Sequence, residues 1–353
     1  MSRVRIGIIG TSWFADRYHF PLFTALEEHA EITALCGRNK ERADEIAEKY
    51  RVPNVFSDYK KLLSSDLIDG VVIVTPDDLH YSMATEAIRR NLHVFCEKPI
   101  SYTLSEARAM REAARSAGVV TLVDHTYRWL PIYVYARQLL HEGRIGKLHR
   151  GLFHYLAGNG REKSDAWRFD ASRGNGVLGD LGSHMMDLAR FLIGDIVEVN
   201  PRLDVHVPHR SDVDLIAPND LASIIVRFAD GETGEIVASK IDCRNGQRVE
   251  LHGSEGSINI EWTFTESQIR CISGEELKDE VLEVPVELGG SPTIDEMLDH
   301  YSTYDAGPRL FVRSILGDAA AAPTFDDGYR VQQVIQAAVD SNATGCRVSI
   351  DLD

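Results

Sequence analysis

Two short stretches carry side chains whose types and spacing can do chemistry. In residues 173–192, RGNGVLGDLGSHMMDLARFL, Asp180 and His184 stand four positions apart. On a helix that spacing puts both on one face, among the apolar Leu181, Met185, Leu188 and Phe191, with Asp187 extending the polar stripe. A carboxylate beside an imidazole is an acid/base pair, the carboxylate orienting the ring while the ring exchanges a proton near neutral pH. The competing account is structural: Asp180 as a helix N-cap and His184 as a satisfied buried histidine. No third ligand at typical spacing accompanies the pair, so no metal is expected. The second stretch is EKP, residues 97–99, where a short apolar strand delivers Glu97 and Lys98. A lysine at a strand's carboxyl end beside a carboxylate is placed to polarise a substrate oxygen, although lysines there are usually just exposed.

A third stretch points to a nucleotide. GIIGTSWFA, residues 7–15, follows the order strand, glycine turn, helix, where backbone N–H groups and the helix dipole favour a pyrophosphate. Gly10 supplies the tight turn and Ala15 the close helix packing, while Ser12 stands where the middle glycine of G-x-G-x-x-G/A is expected. The Ser12 hydroxyl can donate to a phosphate oxygen, and Gly10, Thr11, Ser12, Trp13 and Phe14 are candidate cofactor contacts. Twenty-two positions after Ala15, where an NAD enzyme of this type places an acid against the ribose, stand Gly37 and Arg38. No carboxylate there repels a 2′-phosphate and a guanidinium is available to pair with it, so NADP is favoured over NAD; the bland alternative is a solvated Arg38. At TPDDLH, residues 75–80, Thr75 and Pro76 end a strand, Asp77 or Asp78 can cap the next helix, and His80 can face the crevice, so Thr75, Pro76 and His80 join Glu97 and Lys98 as candidate cofactor contacts.

The elements that must hold these residues follow from periodicity. Residues 4–9, EITALC, DGVVIVTP, HVFCEKP and VVTLVDH read as buried strands. They alternate with helices from Ser12 to about Glu28, interrupted near Pro21, and over RNKERADEIAEKY, HYSMATEAIRRN and TLSEARAMREAARSAG, the last closed by Gly118. Alternation over the first 125 residues or so implies an α/β doubly wound parallel sheet. Beyond it, KLHRGLFHYLAG, LASIIVRFADGETGEIVASKID, QRVELHGSEGSINIEW, SQIRCIS and VLEVPVE read as antiparallel strands and hairpins. Helices at about 131–142, 180–193, 294–316 and 326–342 interrupt that sheet, giving an α+β half. The expected division is 1–126 for the dinucleotide-binding domain and 127–353 for the substrate domain.

Composition fits two globular domains: 353 residues, 44% of them hydrophobic. The formal charge of −16 disfavours nucleic acid and anionic lipid, and no basic tract overrides it. Five scattered cysteines without C-x-x-C spacing indicate neither a disulfide framework nor a zinc site. The first apolar run is broken by Gly7 and Gly10 and cannot serve as a signal peptide or membrane span, so a cytoplasmic protein is expected.

The motifs together resemble the Gfo/Idh/MocA oxidoreductases. The matching pieces are RIGIIGTSWFA, VVIVTPDDLH, CEKP, YRWLP at 127–131, WRFD at 167–170, GNGVLGDLGSHMMD, LHGSEGSINI and the final DDGYRVQQVIQAAVDSNATGCRV. The resemblance implies an N-terminal nucleotide-binding domain, a C-terminal domain with a large open antiparallel sheet, and homodimers or homotetramers packed through that sheet. It matches Lys98, Asp180 and His184 to the family's catalytic lysine, aspartate and histidine. It further implies that Trp167 and Arg168 sit near the nicotinamide, with Tyr127, Arg128 and Tyr155 as candidates for the substrate wall beside Asp180 and His184. The activity implied is hydride transfer between NADP, or NAD, and a secondary alcohol or ketone of a sugar, polyol or dihydrodiol. Redox-assisted glycoside cleavage with a retained cofactor and non-catalytic nucleotide sensing are the alternatives within the same fold.

Overall fold

The computed structural model describes residues 3–162, 167–208, 216–263, 265–292 and 296–352. Two compact units emerge, one formed by residues 1–125 with 296–329, the other by 126–295 with 330–353.

In the first unit β1 (Val4–Ile9), β2 (Ala30–Cys36), β3 (Asn54–Phe56), β4 (Gly70–Ile73), β5 (His93–Cys96) and β6 (Thr121–Val123) form one parallel sheet in the order β3-β2-β1-β4-β5-β6. The order reverses beside β1, which pairs with both β2 and β4, and ligands of such sheets bind at that switch point. All of these strands but the edge strand β3 are largely buried, and the helices of the unit are α1 (Phe20–Ala25), α2 (Lys40–Tyr50), α3 (Tyr59–Leu63), α4 (Asp77–Arg89) and α5 (Leu104–Ala117). Local chemistry starts and stops these helices. Asn39 caps α2 through Arg42 N, Thr103 and Glu106 form a capping box on α5, and Gly118 ends α5 in the left-handed conformation.

The first helix departs from expectation. A π-helical turn, Ala15–His19, precedes α1, and Pro21 sits in the first turn of α1, where a missing N–H costs nothing. Neither Asp77 nor Asp78 caps α4: Pro76 occupies the N-cap, and the two acids lie in the first turn, where the helix dipole favours them.

The second unit is built on nine strands: β7 (Leu148–Leu156), β8 (Ile196–Asp204), β9 (Leu221–Phe228), β10 (Thr233–Ser239), β11 (Gly246–Gly253), β12 (Gly256–Trp262), β13 (Ser267–Ser273), β14 (Lys278–Leu282) and β15 (Val348–Ser349). Their order is β14-β13-β12-β11-β7-β10-β9-β8-β15, antiparallel except for the β7–β10 pair. Helices α6 (Pro131–His141) and α7 (Ser183–Leu192) belong to this unit; α7 follows a second π-helical turn, Leu178–Gly182. The architecture is thus a doubly wound parallel sheet plus an α+β unit with a large, mainly antiparallel sheet.

One boundary needs correction. The expected substrate domain of 127–353 ran unbroken, whereas residues 296–329 pack in the first unit. There Tyr301 meets Tyr18 edge-on, Phe311 tilts against Phe95, and Phe325 and Tyr329 join the core between the sheet and α4–α5. The helix expected over 294–316 is two, α8 (Met297–Thr303) and α9 (Gly307–Leu316), because the chain turns extended at Tyr304 and Ala306; its expected start at 294 lies outside the described residues. The last helix, α10 (Phe325–Thr344), ends at Gly345, whose φ of +69° suits glycine.

Candidate active site

The first unit contributes the turn after β1. Gly10 has φ +124°, and a Cβ there would lie 2.2 Å from Val74 O, so only glycine lets β1 and β4 close up. The backbone N–H groups of Thr11, Ser12, Trp13 and Phe14 find no hydrogen-bond acceptor among the described residues. Four donors at a helix start fit a nucleotide pyrophosphate. Ser12 accounts for its own departure from glycine: its Oγ accepts from Ala15 N at 3.2 Å and its carbonyl from Asp16 N at 3.1 Å, so it caps the helix start. Trp13 is exposed and Phe14 stacks on Tyr18.

At the end of β2, Gly37 leaves room for Thr11, whose Cγ2 would lie 2.7 Å from a Cβ. Arg38 is exposed and, among the described residues, has no ion-pair partner. Arg42, one turn further on, is taken by Asp16 and Glu45.

Thr75 and Pro76 are half-buried at the end of β4. His80 is placed differently from the expectation that it meets the cofactor. It is fully buried, with Nδ1 2.9 Å from Pro99 O and Nε2 2.9 Å from Thr75 O. It ties the loop after β4 to the loop after β5, and burial pushes its pKa down.

Glu97 and Lys98 end β5. His19 Nε2, at the end of the first π turn, donates to Glu97 Oε1 at 2.8 Å, and Asp124, beyond β6, lies 3.5 Å from the same nitrogen. Neither oxygen of Asp124 meets an N–H donor, and the residue is buried. Burial and then the adjacent Glu97 charge raise Asp124 far above the usual carboxyl range. Burial works against Glu97 ionisation too, but the His19 hydrogen bond and charge outweigh it and hold Glu97 below its ordinary value. The two carboxyls are thus pushed in opposite directions, Asp124 toward its protonated form and Glu97 toward its ionised one. His19, Glu97 and Asp124 are also the one group among the described residues whose donor atoms, all within 4.8 Å, suit a metal ion. The sequence does not betray this trio because its members stand at the end of the π turn and just past two different strands, far apart along the chain.

The second unit contributes Asp180, in the π turn, and His184, in the first turn of α7. Asp180 lies inside the π turn and not at an N-cap, the N-cap positions being Val177 and Gly182. Its Oδ2 instead lies 2.7 Å from Lys240 Nζ and 3.8 Å from Arg168 Nε. Lys240, just past β10, is 1% exposed and stands 5.0 Å from the Phe169 ring centroid. The sequence reading passed over it because a lysine at a strand end reads as solvated.

His184 is buried against two tyrosines, with ring centroids 4.6 Å away for Tyr127 and 6.3 Å for Tyr155. The two tyrosine hydroxyls share a hydrogen bond of 2.9 Å. Arg128, expected on the substrate wall, turns away: Nε donates to Asp187 Oδ2 at 2.8 Å, Nη2 reaches Oδ1, and the pair is buried. Arg128 and Asp187 form a strut between the turn at 126–129 and α7. Trp167 is half-buried and lies under the Arg168 guanidinium, 4.6 Å from its ring centroid.

Comparison with known proteins decides the family. Residues 4–125 match the model of the oxidoreductase family with NAD-binding Rossmann fold, and residues 133–259 match the Gfo/Idh/MocA C-terminal domain. The chain belongs to the Gfo/Idh/MocA family. It is an NAD(P)-dependent oxidoreductase. A levoglucosan dehydrogenase of Pseudarthrobacter phenanthrenivorans is 29% identical, with 97% of each chain aligned. An NADP-dependent scyllo-inositol 2-dehydrogenase of Bacillus subtilis is 30% identical over 73% of this chain and 76% of its own. The solved structure of a levoglucosan dehydrogenase in complex with NADH superposes with a TM-score of 0.89 at 26% identity, covering 99% of this chain and all of the other. No helix among the described residues is long and apolar enough to cross a membrane.

Proposed function

We propose that this enzyme transfers hydride between a nicotinamide cofactor, preferentially NADP, and a secondary alcohol or ketone of a sugar or polyol. In the oxidising direction His184 takes the hydroxyl proton, Asp180 orients and stabilises the resulting imidazolium, and Lys98 polarises the substrate oxygen. The cofactor, when bound, supplies the hydride acceptor. Gly10 to Phe14 bind its pyrophosphate, Arg38 meets the 2′-phosphate, and Trp167 and Arg168 border the nicotinamide. Tyr127 and Tyr155 hold the imidazole and contribute to the substrate wall.

The observation that carries this reading is the carboxylate of Asp180, held by cations on the helical path to His184 instead of capping a helix. A charged, oriented acid in that position suits an acid/base pair and has no structural duty as a cap. The relatives that act on levoglucosan and on scyllo-inositol support a polyhydroxylated substrate.

The test is a panel of anhydrosugars, inositols, free sugars and sugar phosphates with NADP+ and NAD+, read by NAD(P)H formation. Cofactor reduction with at least one polyol, faster with NADP+, is expected. Glycoside cleavage without net NAD(P)H formation would replace this reading with redox-assisted hydrolysis. Binding of a nucleotide without either reaction would replace it with a sensor.

A further inference from the structure

Lys240 is conspicuous because an ammonium is almost never this buried unless it is paired. Its backbone is pinned on both sides: Lys240 N donates to Asp220 O at 3.0 Å, and Gly160 N donates to Lys240 O at 2.8 Å. It extends from the end of β10, an interior strand between β7 and β9, and its Nζ lies 2.7 Å from Asp180 Oδ2. The half-exposed Arg168 approaches the same oxygen at 3.8 Å. An acid meant only to strengthen a nearby base would be left uncompensated, whereas this one has a buried counter-charge built against it.

We infer that Lys240 is a positioning residue, its ammonium fixing Asp180 as a carboxylate in one orientation and limiting how strongly that carboxylate raises the basicity of His184. The inference rests on the roles proposed above for Asp180 and His184. Residues four apart on a helical path stand about 5–6 Å apart at Cβ, so the charge on Asp180 is felt at the imidazole. The described residues supply further neighbours of the pair. Tyr127 and Tyr155 meet the ring, Asp187 is neutralised by Arg128, and Arg137 of α6 lies over Phe191 at 4.5 Å. Lys240 takes no proton and gives none during turnover; it tunes the residue that does.

The experiment is a pH titration of the His184 imidazole by NMR on protein labelled at histidine, the resonance being assigned by its loss in His184→Gln. Lys240→Met and Lys240→Gln remove the charge, and the glutamine keeps a donor for Asp180. Both are expected to move the His184 midpoint upward by about one pH unit. Lys240→Arg restores the charge and is expected to return it toward the wild-type value. Where the methionine variant does not fold, the glutamine variant carries the test. A midpoint unchanged in Lys240→Gln, or shifted equally in Lys240→Arg, would overturn the inference in favour of packing alone. The titration needs no turnover. A shifted midpoint in an enzyme that oxidises no alcohol therefore removes the proposed function and leaves Lys240 assigned, while activity with an unshifted midpoint does the reverse.

Discussion

Glu97 in the first unit and Asp180 in the second are both carboxylates in poorly solvated surroundings, next to residues that matter for chemistry. Glu97 has the His19 imidazole at hydrogen-bond distance and, in the same cluster, the buried Asp124 carboxyl, whose pKa is raised. Asp180 is balanced by full cations, Lys240 and Arg168. Two carboxyls pushed in opposite directions make the first cluster sensitive to pH, whereas an ion pair sets a cation directly against the carboxylate. The difference teaches that the first site is built for holding strand ends together and the second for keeping one carboxylate permanently available.

The largest expected effect breaks the comparison at its functional end. His184→Ala should lower kcat/KM by about 10²–10⁴-fold, the range of a lost general base, without altering nucleotide affinity measured by fluorescence titration. Asp180→Asn should fall in the same direction. An active Asp180→Asn enzyme would make Asp180 as structural as Glu97.

Next comes pH. The folded-state pKa of Asp124 lies above its unfolded value, so its contribution to stability is complete below the unfolded carboxyl pKa and is lost as pH rises through the folded one. Glu97 runs the other way, its contribution present above the unfolded value and lost as pH falls. Above the ordinary carboxyl range the Glu97 dependence is spent while that of Asp124 remains. Thermal melts should show wild-type Tm falling relative to Asp124→Asn as pH rises above that range, and parallel curves would mean that folding does not raise the Asp124 pKa.

Arg38→Ala should weaken NADPH about tenfold and leave NADH unchanged, as a single charge-assisted contact predicts. A smaller effect belongs to the glycine-turn departure. Ser12→Ala should cost about 1 kcal/mol in urea unfolding and Ser12→Gly only a few tenths, because the hydroxyl is a cap. The smallest expectation is none at all: dialysis against a chelator and readdition of zinc should leave Tm unchanged. Uptake of one equivalent with a rise in Tm would show that the His19, Glu97 and Asp124 trio is balanced by a cation after all, as Asp180 is.

The parallel sheet was legible because its strands are continuous apolar runs between amphipathic helices. The NVF strand β3 escaped, being three residues long and not buried, as did β8, whose Asn200 and Pro201 read as a break. Single residues with one reading, such as the tight-turn Gly10, were legible from type and position. Residues whose roles depend on distant partners were not: Arg128 meets Asp187 across 59 positions, His80 meets Pro99 across 19, and Lys240 looks like any strand-end lysine until its burial is seen. Periodicity reports which face is apolar, but it carries no information about which polar groups meet across the fold.

The return of residues 296–329 to the first unit bears on how the chain is made. Phe95, Tyr18 and the α4–α5 core lack Phe311, Tyr301, Phe325 and Tyr329 until residues 301–329 have been made. During synthesis the sheet of the first unit emerges ahead of residues 126–295, yet the unit is completed only after them. A fragment ending at 126 therefore exposes apolar surface that the whole enzyme covers, and it is an unsuitable piece for expressing the cofactor site alone.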